Sequence, residues 1–153
     1  MNIVVDTNVL FGATVRELIL LMAQQQFFRP HWNEQIVSEL SYLLPAYQLP
    51  KEYLVPGTFQ SPVALPDPDD GPILALAQHL SAKVILTHNL KDFPQALLGN
   101  IRAMEPDEFF LELKGQYPIQ DVLRLHADKV EWQDYVERLN RARLHKLSRA
   151  LKN

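Results

Sequence analysis

Three carboxylates fall within four residues at Asp67-Pro68-Asp69-Asp70, just ahead of the apolar run Ile73-Leu74-Ala75-Leu76-Ala77. Groups packed this closely repel one another unless water, a bound proton or a cation intervenes. Hard divalent ions such as Mg²⁺ and Mn²⁺ take oxygen ligands, so a cation is the commonest functional answer to such a cluster. Three more acids stand at the ends or flanks of elements: Asp6, Glu39 and Asp92. Chance would scatter these positions, whereas one pocket at the carboxyl edge of a sheet would gather them. The chain has no cysteine, which excludes disulfides, thiolate nucleophiles and thiolate zinc sites. Any metal chemistry must therefore use carboxylates or histidines.

The elements that must position these acids follow from local pattern. Ile3-Val4-Val5 is a β-branched run too uniform to alternate, which predicts a strand buried on both faces, as in a parallel sheet. Asp6 ends it, at the sheet edge where such folds build sites; its type alone fits a ligand and a turn or cap residue equally. Thr14-Val15-Arg16-Glu17 matches a capping box ahead of the stripe Val15, Leu18, Ile19 and Met22. Phe27-Phe28-Arg29-Pro30 predicts a second short strand, stopped by its proline. Asn33 caps a helix with Ile36, Val37, Leu40, Leu43 and Leu44 inward, and Glu39 flanks that stripe. Glu39 reads either as a snorkelling surface residue or as a carboxylate reaching into a cleft.

Residues 45–66 are proline-rich, with one possible helical turn at Lys51-Glu52-Tyr53-Leu54, and form a connection inside a single unit. Ile73–Leu80 predicts a buried helix with Asp70 at its mouth, able to cap the first turn. Capping explains one aspartate and not three. Lys83-Val84-Ile85-Leu86-Thr87 is the next buried strand, and it ends in the polar run Thr87-His88-Asn89-Leu90-Lys91-Asp92. Ile101–Met104 is a weaker strand, and Pro106-Asp107-Glu108 opens a helix through Leu113 with acids in its first turn. The tail has Ile119–Leu125 helical, then Trp132, Tyr135, Val136, Leu139, Leu147 and Leu151 at helical spacing.

Charge is uneven along the chain. Residues 138–153 hold six Lys/Arg and no acid, leaving nine bases and eighteen acids, a net −9, in the first 137 residues. A basic tail on an acidic body serves a polyanion, or is a solvated helix face. Arg138, Arg141, Arg143, Lys146 and Arg149 are the candidates for contact with a polyanion's backbone. The same amphipathic helix would alternatively pack on the domain or on a second subunit, and packing is the preferred reading. The N-terminus has no basic n-region or long apolar run, and no segment approaches a membrane span, so a cytoplasmic protein is the expectation.

Taken in order, four segments resemble the motifs of PIN-domain nucleases. They are Ile3-Val4-Val5-Asp6-Thr7-Asn8-Val9-Leu10; Phe28-Arg29-Pro30-His31-Trp32 with Ser38-Glu39-Leu40; Asp67-Pro68-Asp69-Asp70 with Ile73–Ala77; and Val84–Pro94. Pro106-Asp107-Glu108-Phe109-Phe110 resembles a VapC-like branch, the toxin halves of toxin–antitoxin pairs. The resemblance covers about residues 2–113. It implies an α/β fold, a three-layer α/β/α sandwich around a parallel sheet, with residues 1–114 as the nuclease domain and 115–153 as a helical C-terminal extension. It implies a Mg²⁺- or Mn²⁺-dependent ribonuclease in which Asp6, Asp70 and Asp92 ligate metal, with Glu39 a ligand directly or through water. Asn8, Thr87 and Asn89 would orient carboxylates, water or phosphate, while Asp67 and Asp69 take supporting roles, one of them as a helix cap. His88 is expected exposed, since no general-base histidine is needed. An antitoxin protein is the implied partner, and a homodimer is a further possibility.

Other chemistries fit poorly. A phosphatase with an Asp nucleophile needs a second Asp two residues after Asp6, and Asn8 stands there. There is no Gly-x-Ser-x-Gly elbow and no glycine-rich phosphate loop. The rival from another class is a PIN-like RNA- or protein-binding module with little or no catalysis.

Overall fold

The computed structural model of the protein describes residues 1–152. Four strands form one all-parallel sheet: β1 (Asn2–Val5), β2 (Arg29–His31), β3 (Val84–Leu86) and β4 (Arg102–Met104), in the order β2-β1-β3-β4. Ile3, Val4 and Val5 are fully buried, as are Ile85 and Leu86, which is why both central strands read as unbroken apolar runs. The register pairs Ile3 with Pro30 on one side and with Val84 on the other. β2 therefore runs through Pro30 to His31 instead of stopping at the proline. It can do so because β2 is an edge strand, where a missing N–H costs no ladder bond on the open side.

The chain leaves β1 in one direction to reach β2, then crosses back over β1 to reach β3 and β4. Right-handed crossovers in opposite directions send their helices to opposite faces of a sheet. The first connection carries α1 (Thr7–Leu10) and α2 (Ala13–Gln24), and α2 packs on β2. The second carries α3 (Glu34–Leu43) and α4 (Gly71–His79), and α4 packs on β1 and β3. This α/β architecture is compatible with a three-layer sandwich. Asn33 caps α3 as its type predicts, its Oδ1 accepting from Ile36 N–H at 2.9 Å. The capping box at Thr14 does not form. Gly12 occupies the N-cap of α2, so Thr14 lies inside the first turn and its side chain is turned to long-range work.

The remaining helices are α5 (Pro106–Lys114), α6 (Ile119–Ala127), α7 (Trp132–Arg141) and α8 (His145–Leu151). The basic tail is thus two helices and not one; its last residue, Asn153, lies outside the described residues. α7 ends in a Schellman turn: Leu144 N–H donates to Leu139 C=O at 3.1 Å and Arg143 N–H to Asn140 C=O at 3.2 Å. α8 then folds back on α7 and α5, burying Leu147 and Leu151. α6 packs on α2, where His126 Nε2 meets Glu17 at 2.6 Å and accepts at Nδ1 from the Tyr135 hydroxyl at 2.8 Å. Among the described residues, no helix is long and apolar enough to cross a membrane.

No side chain of its own caps α8. Its first free amides are taken by Asp107 of α5, whose two oxygens accept from Lys146 N–H and Leu147 N–H, each at 2.9 Å. A carboxylate here satisfies orphan donors and meets the positive end of the helix dipole. Asp107→Ala should therefore cost about 1–2 kcal/mol, in the range of a lost cap. A urea melt checks this, and a midpoint equal to that of the wild type would show that the cap contributes nothing.

Candidate metal centre

The site lies outside the carboxyl ends of β1 and β3, adjacent strands whose onward connections leave in opposite directions, to β2 and to β4. That reversal opens a crevice at the sheet edge. Asp6 follows β1 directly and is buried. Its backbone N–H donates to Leu86 C=O at 2.9 Å, which extends the β1–β3 ladder and fixes the carboxylate above the sheet. Oδ1 accepts from Thr7 N–H at 2.8 Å, making Asp6 the cap of α1. Oδ2 accepts from Asn8 Nδ2 at 3.0 Å and from Thr87 Oγ1 at 2.9 Å. Asp6 is thus both a cap and a site carboxylate. A carboxylate offers about four acceptor positions, so with three filled, one remains.

Burial pushes the Asp6 carboxyl above the usual carboxylate range, and the nearby Glu39 adds to this. The hydrogen bonds from Thr87, Thr7 and Asn8 pull the other way. Thr87 is fully buried and works as a relay, its Oγ1 also accepting from Asn89 N–H at 3.0 Å. Asn8 completes the frame by accepting from His88 N–H at 3.0 Å. Of the residues expected to orient the site, Asn8 and Thr87 bond the Asp6 carboxylate directly, and Asn89 donates its backbone N–H to Thr87.

Asp70 sits at the N-cap of α4 but makes no capping hydrogen bond, which leaves its carboxylate free. Burial first, and then the negative neighbours Asp6, Asp67, Asp92 and Asp69, push its pKa up to about 7. Asp92 arrives from the single turn Leu90–Asp92 that follows β3. Asp67, Asp70 and Asp92 bring one carboxylate oxygen each within 4.8 Å of one another.

Asp67 is the member that sequence reasoning set aside as structural. It does cap its own turn, Oδ1 accepting from Asp69 N–H at 3.0 Å, yet it also joins the cluster. The missed signal was local: Pro68–Asp70 is a 3₁₀ turn, and three residues per turn stacks position 67 under position 70. Asp69 lies outside that group but its charge still acts on Asp70, and its backbone carbonyl accepts weakly from Gln35 at 3.4 Å. Glu39 is exposed on α3, held by Gln35 Nε2 at 3.0 Å, and reaches the site through its field on Asp6. Neither Glu39 nor Asp6 belongs to the 4.8 Å group.

His88 is half-buried, not exposed, with Nδ1 3.2 Å from Glu105 Oε1. The five basic candidates separate. Arg138, Arg141 and Arg143 line a groove with Asn8 and His88, whereas Lys146 pairs with Glu108 at 2.9 Å and lies, like Arg149, outside it.

The donor set fits a hard divalent cation. Octahedral Mg²⁺ with bonds of about 2.1 Å needs oxygens about 3–4 Å apart, and Asp67, Asp70 and Asp92 each bring an oxygen within 4.8 Å of the other two. Burial, and after it the neighbouring carboxylates, oppose ionisation of Asp70, and a bound cation would offset both. Comparisons with protein-family models, with curated proteins and with solved structures return no match.

Proposed function

We propose that the protein is a divalent-metal-dependent ribonuclease with a PIN-like fold, acting as the toxin of a toxin–antitoxin pair. One observation carries the nuclease reading: carboxylates from three separate segments, Asp6, Asp67–Asp70 and Asp92, meet at the β1–β3 crevice, where burial and then their mutual repulsion raise Asp70 to about 7. A structural role requires no such concentration, since only Asp6 and Asp67 serve as caps. The ordered resemblance of four sequence segments to PIN-domain nucleases supports the same reading, and the toxin assignment rests on that resemblance.

In this reading Asp67, Asp70 and Asp92 hold Mg²⁺ or Mn²⁺, with Asp6 completing the site from the sheet side and Glu39 contributing from α3. A bound ion supplies charge to polarise the phosphoryl oxygen and lowers the pKa of a water for in-line attack. The chain's own work is positional. Thr87 and Asn8 lock the Asp6 carboxylate, and Asn8 in turn fixes the backbone at His88.

Incubating the wild type and Asp6→Asn with a mixed RNA pool, with and without Mg²⁺, tests the reading. The wild type should cleave only with the metal, and the variant should be slower by about a hundredfold or more. Equal cleavage by both would falsify the catalytic assignment, and binding of the pool without cleavage would favour a binding module. The toxin assignment makes its own prediction: co-expression with the product of the adjacent open reading frame should relieve growth arrest caused by the wild type. No arrest from the wild type alone removes that assignment.

A further inference from the structure

The groove beside the carboxylates has a volume of about 490 Å³ and is bounded by α1, the start of α2, His88 and the α7–α8 corner. Its lining includes Arg138, Arg141 and Arg143 but no carboxylate. It shares a wall with the candidate metal centre. Asn8 lines the groove while its Nδ2 donates to Asp6, and His88 lines it beside Thr87, the other donor to Asp6.

We infer that this groove is the track along which a single strand of RNA reaches the carboxylates, its backbone phosphates taken by Arg141 and Arg143 beside Arg138. The inference rests on the ribonuclease reading and names the part of the chain that would hold the substrate. Four observations support it. The first 137 residues carry a net −9, a field that repels RNA, so a polyanion substrate needs local positive charge next to the site. Arg141 makes no ion pair or hydrogen bond among the described residues, so its guanidinium is available for bidentate phosphate contact.

Arg143 sits at φ 68°, the left-handed position that closes a Schellman turn and that glycine normally fills. An arginine there carries backbone strain with no packing return, since it is exposed and makes only an ion pair to Glu105 at 3.2 Å. That pair shares the Glu105 oxygen that meets His88, which aligns the arginine with the groove wall. Finally, a cavity of this volume holds a short stretch of one strand and is far too small for a duplex.

The test uses the full chain in EDTA, so that nothing is cleaved, with a fluorescein-labelled 20-nucleotide oligouridine followed by anisotropy from 25 to 200 mM KCl. The variants are Arg141→Ala/Arg143→Gly and, outside the groove, Lys146→Ala/Arg149→Ala. Arg138 is left in place because its contacts to Thr14 and Glu17, both at 3.3 Å, tie α7 to α2. Each phosphate contact to a single strand adds about 0.7 to the log–log salt slope, so the groove variant should be shallower by about 1.4 and weaker by about tenfold at 50 mM salt. Its Tm should match or exceed the wild type, because glycine relieves the left-handed strain. The Lys146/Arg149 variant should bind as the wild type does.

Wild-type affinity in the groove variant, or an equal loss in the Lys146/Arg149 variant, overturns the inference. So does competition by polyglutamate as effective as that by RNA, which would make the groove a seat for an acidic protein segment. Wild-type cleavage in Mg²⁺ is scored separately on the same RNA. Cleavage with groove-independent binding overturns the track and leaves the nuclease; groove-dependent binding without cleavage leaves the track and overturns the nuclease.

Discussion

Asp70→Asn should make the metal-free protein more stable at pH 8 while lowering Mg²⁺-dependent RNA cleavage by about a hundredfold or more. The two effects share one cause. In the folded protein Asp70 holds its proton up to about 7, because burial and four neighbouring carboxylates oppose its ionisation. In the unfolded chain it ionises near 3.8. Between these values the folded state binds more protons than the unfolded state, so stability falls as pH rises from about 4 towards 7. Above 7 the full cost of ionisation is present. Asparagine removes that charge at every pH and keeps the side chain's size.

Asp70 is half-buried, so solvent screening reduces the gain to about 1–2 kcal/mol, or about 3–6 °C in Tm for a chain of this length. The gain should shrink to a small remainder at pH 4, where Asp70 is protonated in the folded state and about half protonated in the unfolded chain. It should also shrink in millimolar Mg²⁺, which stabilises the wild type by binding its folded form. Thermal melts in EDTA at pH 4, 6 and 8 are the measurement. A wild type whose stability rises between pH 5 and 7, with no benefit from the substitution, would mean that the carboxylates do not repel one another strongly. A residue that destabilises its own fold and is retained for chemistry is the usual trade between activity and stability.

The parts of this molecule legible in the sequence are those set by short-range pattern. Ile3–Val5 and Val84–Leu86 read as double-sided buried strands because no polar residue interrupts them. Asn33 read as a cap because its partner is three residues away. Asp6 and Asp70 stood out because an acid at the end of a buried strand, or at the mouth of a helix, has few bland reasons to be there. The errors arose where long-range contacts override a local signature. Thr14 and Glu17 have the types of a capping box, but their side chains meet Arg138 and His126, more than a hundred residues away. The tail read as one basic helix because its apolar spacing continues past Arg141; the break is a backbone turn at Arg143, a residue type that gives no warning of it. Asp67 was missed for the opposite reason. The 3₁₀ geometry that stacks it under Asp70 is local, with a period of three, whereas the resemblance weighs only the place of Asp70 ahead of Ile73–Ala77 and leaves Asp67 a supporting role.

Thr87→Val should lower cleavage by about 10–100-fold and raise the pH at which the remaining activity appears. Thr87 is fully buried and bonds the Asp6 carboxylate on one side and the Asn89 backbone on the other, both at about 3 Å. Valine fills the same space, so packing is kept and only the hydroxyl is lost. Without it Asp6 Oδ2 keeps Asn8 alone, and the strongest of the hydrogen bonds that hold its pKa down disappears. The carboxyl, already raised by burial, then rises further, and more alkali is needed to ionise it for any positively charged ligand. The buried Asp6 carboxylate and the part-buried Asn89 N–H also lose a partner, which should cost about 1–3 kcal/mol at pH 8, where Asp6 is charged. The cost should be smaller at low pH, because a neutral carboxyl gains less from a donor. Thr87→Ser restores the hydroxyl and gives up only a methyl group, so it should recover the wild-type pH profile with a smaller loss of stability. A profile in which valine and serine lower activity equally, with the acid limb unmoved, would reduce Thr87 to a packing residue and leave Asp6 to be positioned by Asn8 and the α1 backbone.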